Sequence, residues 1–299
     1  MFGGNKKTTY ERNDGQGEIK RGLSPFFPLG MSGTSQPPSF FIGWDVGGWN
    51  CDKNGRSRDA IVILDASRNI VGRPWRGNLR TTINEADNTS DWLKSLFLLC
   101  ETNLPAEHKR TIMAIDAPLG FSEAFAQLVT RLECKAPIGQ SDTNPYLFRL
   151  TEQFLFDHCL KPLSAIKDMI GSQATKGMHA LARFAPQKEQ CGVWSDGDML
   201  TVIEAYPSAC KDSALFQELL KQYLLAVCIE PPKKQWSGGI DHQDKLDALT
   251  CALIAYAYTL QPDTLAHPTE SIPITEGWIW VPKDALRLRL VEKEVLNHG

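Results

Sequence analysis

Five acids in this sequence are placed where carboxylates could do chemistry. Asp45 ends the apolar run FFIGW and is followed at once by Val46 and Gly47-Gly48. Asp116 ends TIMAI, Glu204 lies near the end of LTVIEA, and Asp244 and Asp247 stand three apart at the head of DKLDALTCALIAYAY. A carboxylate at the end of a buried strand needs a partner, because burying it unpaired is costly or forces it to take up a proton. If the strands carrying these acids are neighbours, the carboxylates converge at one edge of a sheet and repel one another. A hard divalent cation with oxygen ligands relieves that repulsion. Two such ions about 4 Å apart, Mg2+ or Mn2+, would activate a water and stabilise the leaving oxygen of a phosphodiester. Asp45, Asp116 and Asp247 are the candidate metal ligands, and Glu204 and Asp244 complete the candidate catalytic set. Gly47-Gly48 would let backbone and substrate approach closely.

Each acid also has a purely structural reading. An acid after a strand often forms a turn, and acids in a first helical turn cap free N–H groups and favour the helix dipole. The combination, rather than any single residue, argues for a site.

Other side chains bear on substrate. Lys211, seven residues past Glu204, could contact a phosphate or stand as a solvated helix-start lysine. Arg149 and Glu152, at i and i+3, could clamp a phosphate or form a surface ion pair with each other. His242 could move a proton, bind metal or be a loop histidine. Lys233-Lys234-Gln235-Trp236 pairs basic groups with an aromatic, which suits stacking of a single-stranded base but also an ordinary polar loop. Trp278 and Trp280, at period 2, read as core strand residues.

The elements that must position these groups follow from the periodicity. Residues 1–38, rich in Gly, Ser, Thr, Pro and Asn, form an extension without sustained period, although Phe26 and Phe27 could dock on the domain surface. Ser39–Val46, Asp59–Leu64 and Asn69–Trp75 read as an antiparallel meander. Ser90–Cys100 reads as a helix capped by Ser90, and Thr111–Ile115 as a strand covered on both faces. Residues 121–200 read as a helical insertion, clearest in FRLTEQFLFDHCL and looser over Lys161–Lys188. Leu200–Ala205 is a further strand, a helix spans roughly Ser213–Cys228, and the helix in DHQDKLDALTCALIAYAY is apolar nearly all round from Leu246 onward and so buried against the sheet. The order implies an α/β fold: a mixed sheet, three antiparallel strands then parallel ones, flanked by helices, in one domain over 39–299.

Composition sets the outer bounds. The chain has 299 residues, is 42% hydrophobic and carries a formal charge of −3, which argues against a duplex-coating protein without excluding a local basic groove. Its eight cysteines are scattered, which reads as reduced thiols in a cytoplasmic protein. The longest apolar run, about Ala248–Leu260, falls short of the roughly 20 residues a bilayer requires, and no secretory signal precedes the domain.

The motifs GWDVGG, AIDAPLGF, FRLTEQFL, IEAYPSACK, DKLDALTCALIAY and EGWIWVP, spread in order from residue 43 to 282, resemble the ribonuclease H-like superfamily. Within it they resemble the predicted-nuclease group catalogued as domain-of-unknown-function family 429. The resemblance implies a metal-dependent nuclease acting on nucleic acid. Asp45 would be the first-strand acid, Asp116 the fourth-strand acid, and Asp244 with Asp247 the C-terminal helix acids, spaced as in Holliday-junction resolvases. Glu204 would support the site from the fifth strand. The chain departs from the nuclease pattern at Asp116, where Glu is typical, and in the nearby Pro118. Two other readings compete: an ATP-dependent phosphotransferase of the sugar-kinase and actin type, for which DVGGWN resembles the first phosphate loop and SGGI is a poor second one, and a non-catalytic binding module of the same fold.

Overall fold

A computed structural model describes residues 40–108, 110–224 and 236–287. The expected extension at 1–38, with Phe26 and Phe27, lies outside them, as do Lys233, Lys234 and Gln235.

Strand β1 spans Phe40–Asp45, and its alternation drives two cores at once. Phe41 enters the core on one face of the sheet, while Ile42 and Trp44 enter the core on the other. Strand β2, Asp59–Asp65, pairs antiparallel with β1, and the short β3, Trp75–Gly77, pairs antiparallel with β2. The third strand is thus later and shorter than the expected Asn69–Trp75. Asp65 accepts hydrogen bonds from the N–H groups of Ser67 and Asn69 and closes a tight turn, so Ile70 makes only an isolated bridge to Leu64. Gly72, at φ 70°, and Pro74 then delay regular pairing.

Two helices follow: α1 over Arg80–Glu85 and α2 over Thr89–Leu99. The cap of α2 is Asn88, not Ser90, since the Asn88 side chain accepts from the Asp91 N–H. Strand β4, Thr111–Asp116, lies parallel to β1. The segment from 121 to 200 holds α3 (Glu123–Arg131), α4 (Leu150–Asp157) and α5 (Gly171–Phe184), followed by a hairpin of β5 (Gln187–Gln190) and β6 (Val193–Ser195). The expected loose stretch at 161–188 therefore contains a 14-residue helix. A glycine and a lysine on the buried side of α5, Gly177 and Lys176, obscured its apolar stripe.

Strand β7, Leu200–Ala205, pairs parallel with β4 and antiparallel with β6. Helix α6 covers Ala214–Lys221, ending before the expected Cys228, which lies outside the described residues. Helix α7 runs over Gln243–Leu260, and β8, Ile279–Trp280, adds parallel to the end of β7. The eight strands form one sheet in the order β3-β2-β1-β4-β7-β6-β5, with β8 beside β7.

Helix α7 covers one face, burying Ala248, Leu249, Ala252 and Leu253 with Phe41, Val62 and Ile112. Helices α2 and α5 cover the other, burying Trp92, Leu96, Leu181 and Phe184 with Trp44, Ile63 and Met113. Trp278 and Trp280 are core residues, as their spacing implied. Among the described residues no helix is long and apolar enough to cross a membrane, and the seven described cysteines are free thiols.

Candidate functional site

The site begins with register. Asp45 and Asp116 are direct partners at the ends of the parallel strands β1 and β4, and neighbouring strands lie only about 4.8 Å apart. By alternation Asp45 shares its face with Phe41 and Gly43, and Asp116 shares its face with Ile112 and Ala114. Both acids therefore point to the side covered by α7.

Glycine at position 43 lets α7 come down onto that face. A Cβ there would collide with the Ala248 carbonyl oxygen and the Ala252 nitrogen, so no other residue allows the helix this close. Asp247 immediately precedes Ala248 and is thereby carried to the two strand acids.

The electrostatics record the convergence. Burial raises the Asp45 carboxyl well above its usual range, and the charges of Asp116, Asp247, Asp244 and Asp59 raise it further. Asp116 is pushed to about 8 by burial and by Asp247 and Glu204, with Lys211 pulling the other way. Asp247 is raised by burial and by Asp244, while a hydrogen bond from Gln243 and the charge of Lys211 oppose the shift. Among the described residues no donor bonds to the side chain of Asp45 or Asp116; Asp247 accepts one, from Gln243 Nε2 at 2.9 Å.

The other candidates separate. Glu204 reaches the same end of the sheet but the opposite face, in line with Leu200 and Val202. Its oxygens accept from Arg149 Nη2 at 2.6 Å, Arg149 Nη1 at 2.8 Å and the Leu119 N–H at 2.9 Å. It is thus a brace for the turn after β4 rather than a ligand.

Arg149 is 2% exposed and forks between Glu204 and Glu152, so the expected surface pair is a buried triad and the expected phosphate contact is precluded. One guanidinium serves both carboxylates through charge-assisted hydrogen bonds, the condition under which such groups persist in a core. Asp244 is also engaged: one oxygen accepts from Arg76 Nε at 2.7 Å and from the Arg58 N–H at 2.9 Å. It ties α7 to the β2–β3 side of the sheet. His242 caps α7 by accepting the Asp244 N–H on Nδ1. Lys211 is exposed on a 3-10 turn, Pro207–Asp212, within the field of Asp116 and Asp247. Trp236 is half-buried and bridges to Leu224. Gly238 and Gly239 face Ile70 and Pro74.

One group escaped the reading of the sequence. Lys176 on α5 and Asp59 at the start of β2 are both fully buried and ion-paired beneath the Gly47-Gly48 turn. Lys176 Nζ also donates to the carbonyl oxygens of Gly47 and Gly48 at 3.3 and 3.4 Å and to Asn78 Oδ1 at 3.1 Å. Asp59 accepts in addition from the Gly47 N–H, the Leu79 N–H and the Trp44 indole. This network fixes the turn that follows Asp45. Its only signal in the sequence is an acid opening the apolar run DAIVIL and a lysine inside an amphipathic helix.

Comparison of the chain with protein-family models, with curated proteins and with solved structures gives no match. What the molecule itself defines is a three-layer α/β domain. It carries two register-paired strand carboxylates and a helix carboxylate at the carboxyl ends of its central parallel strands.

Proposed function

We propose that this protein is a divalent-metal-dependent nuclease of the ribonuclease H-like superfamily, which cleaves phosphodiester bonds at Asp45, Asp116 and Asp247. One observation carries the reading: two unbonded, register-paired carboxylates with raised proton affinity lie against a helix that brings a third. The antiparallel β1-β2-β3 meander followed by the parallel β4 and β7 supports it, because the resemblance of the sequence motifs implies that order.

The donor chemistry fits Mg2+ or Mn2+. Hard carboxylate oxygens, to which no basic side chain among the described residues is ion-paired, are the ligands such ions prefer. Asp45 and Asp116 would hold the ion, with Asp247 completing the set. A bound ion supplies Lewis acidity, which lowers the pKa of water and offsets charge on a phosphoryl oxygen. The chain's own residues do the rest. The Lys176–Asp59 network holds the Gly47-Gly48 turn, the Arg149–Glu204 brace holds the turn after Asp116, and Lys211 offers a cation for a phosphate near the acids.

A second reading, a non-catalytic module of the same fold, is favoured by one observation. As the side chains stand, no three His, Cys, Asp or Glu among the described residues form a ready-made metal group. Calorimetric titration with Mn2+ and Mg2+ separates the two. The nuclease reading expects saturable binding that Asp45→Asn and Asp116→Asn each weaken at least about tenfold. No heat of binding from the wild-type protein at millimolar metal favours the module.

A further inference from the structure

The loop joining β1 to β2, together with β3 and the segment leaving it, brings five basic residues to one side of the acidic site: Lys53, Arg56, Arg58, Arg76 and Arg80. They form one surface because the two segments are bonded together. Arg76 Nη2 donates to the Gly55 carbonyl oxygen at 3.0 Å, and Arg80 Nη1 donates to Asn50 Oδ1 at 3.0 Å. The Arg58 Nε donates to the Asn54 carbonyl oxygen within the loop.

The nearby acids cancel only part of this charge. Asp59 is buried in its pair with Lys176, Asp244 is held by Arg76, and Asp52 bonds to Asn78 and faces Arg80. Lys53 and Arg56 are exposed, and among the described residues neither they nor Arg58 has an acidic partner. The surface adjoins the candidate site directly. The Arg58 N–H and Arg76 Nε both bond Asp244, one helical turn before Asp247.

The three cations left without an acidic partner among the described residues, Lys53, Arg56 and Arg58, make a local basic patch on a chain of net charge −3, and a polyanion is the complementary occupant. The geometry points to this β1–β2 and β3 surface as the track that holds the sugar-phosphate backbone of a nucleic-acid strand leading to Asp45 and Asp116. The inference rests on the nuclease reading for the bond that is cleaved, but its binding step needs no metal. Single-stranded backbone is the form the test uses, with DNA and RNA arms to separate the two sugars.

Fluorescence anisotropy of labelled 20-residue oligo-dT and oligo-U, in EDTA over a range of salt, measures the track without cleavage. Each lost phosphate contact lowers the slope of log K against log salt by about 0.7 for single strands. Lys53→Ala/Arg56→Ala, which alters two exposed side chains outside the acidic site, is expected to lower the slope by about 1.4 and to weaken binding several-fold. Lys188→Ala, on β5 at the far edge of the sheet, is expected to change neither. Equal slopes and affinities in the wild type and the double variant overturn the proposal, as does a wild-type protein that binds neither strand. If the double variant loses binding while no metal supports cleavage by any form, the track stands and the nuclease reading falls. Cleavage with unchanged slopes leaves the nuclease reading standing and removes the track.

Discussion

Asp45 and Asp116 face the same physical problem: each is a carboxylate in a setting that penalises its charge. Asp116 titrates at about 8 in the folded chain, whereas an unfolded chain releases that proton near the ordinary aspartate value of about 3.9. The folded state therefore holds a proton that the unfolded state lacks between these values. Stability falls as pH rises through that window and is lowest above it. Without metal, Asp116→Asn should raise the melting temperature at pH 8.5, at about 3 °C per kcal/mol for a domain of this size, and the advantage should shrink towards pH 5. Thermal unfolding at the two pH values in EDTA checks this, and a variant no more stable than wild type at pH 8.5 contradicts it. Lys176 presents the opposite case, a buried charge fully met. Lys176→Met should cost about 3–5 kcal/mol because it strands Asp59. Asp59→Leu in that background should not restore stability, since the N–H groups of Gly47 and Leu79 and the Trp44 indole would lose their acceptor. Urea denaturation of the single and double variants distinguishes these outcomes.

At the scale of elements, the contact of α7 with β1 decides whether the acids meet. Gly43→Ala would drive the Ala248 carbonyl and the Ala252 nitrogen from the strand. Both are backbone atoms that cannot rotate aside, so the substitution should cost about 3 kcal/mol or more, the upper range for overpacking. It should also weaken Mn2+ binding, whereas Ala114→Gly, on the neighbouring strand, should lose stability without a comparable loss of metal affinity. Calorimetry on both variants tests the claim. The elements were legible in the sequence where period and length agreed. LTVIEA gave its strand boundaries, FFIGWD and TIMAI gave theirs to within a residue or two, and the buried helix beginning near Asp244 was plain from its apolar circumference. They were not legible where a tertiary partner offsets a local liability. Helix α5 tolerates a buried lysine because Asp59 meets the charge, and a buried glycine, Gly177, because Leu119 lies against it, and β6 is only three residues of a hairpin that β7 completes. The acids at strand ends could be read, but the face each one takes could not. A single residue of alternation places Glu204 opposite Asp116, and only the Arg149 triad shows what it does there.

On the scale of the whole molecule, the sheet order places the parallel pair β1 and β4 at the centre, with α7 on one side and α2 and α5 on the other. Crevices at the carboxyl ends of central parallel strands are where open α/β sheets bind ligands, and the three aspartates stand at that end. The two charge networks, Lys176–Asp59 and Arg149–Glu204–Glu152, brace the turns that leave β1 and β4, so the acids are mounted on fixed backbone rather than on mobile loops. This arrangement makes activity the central test. Labelled single-stranded, duplex and branched DNA and RNA should be incubated with wild type, Asp45→Asn and Asp116→Asn in Mg2+, Mn2+ or EDTA. The expected result is metal-dependent cleavage by wild type that EDTA abolishes and that each variant reduces by about 100-fold or more, the loss of a few kcal/mol of transition-state stabilisation. Cleavage that persists undiminished in both variants, or no cleavage of any substrate by wild type with either metal, would contradict a carboxylate-held metal site for phosphodiester hydrolysis.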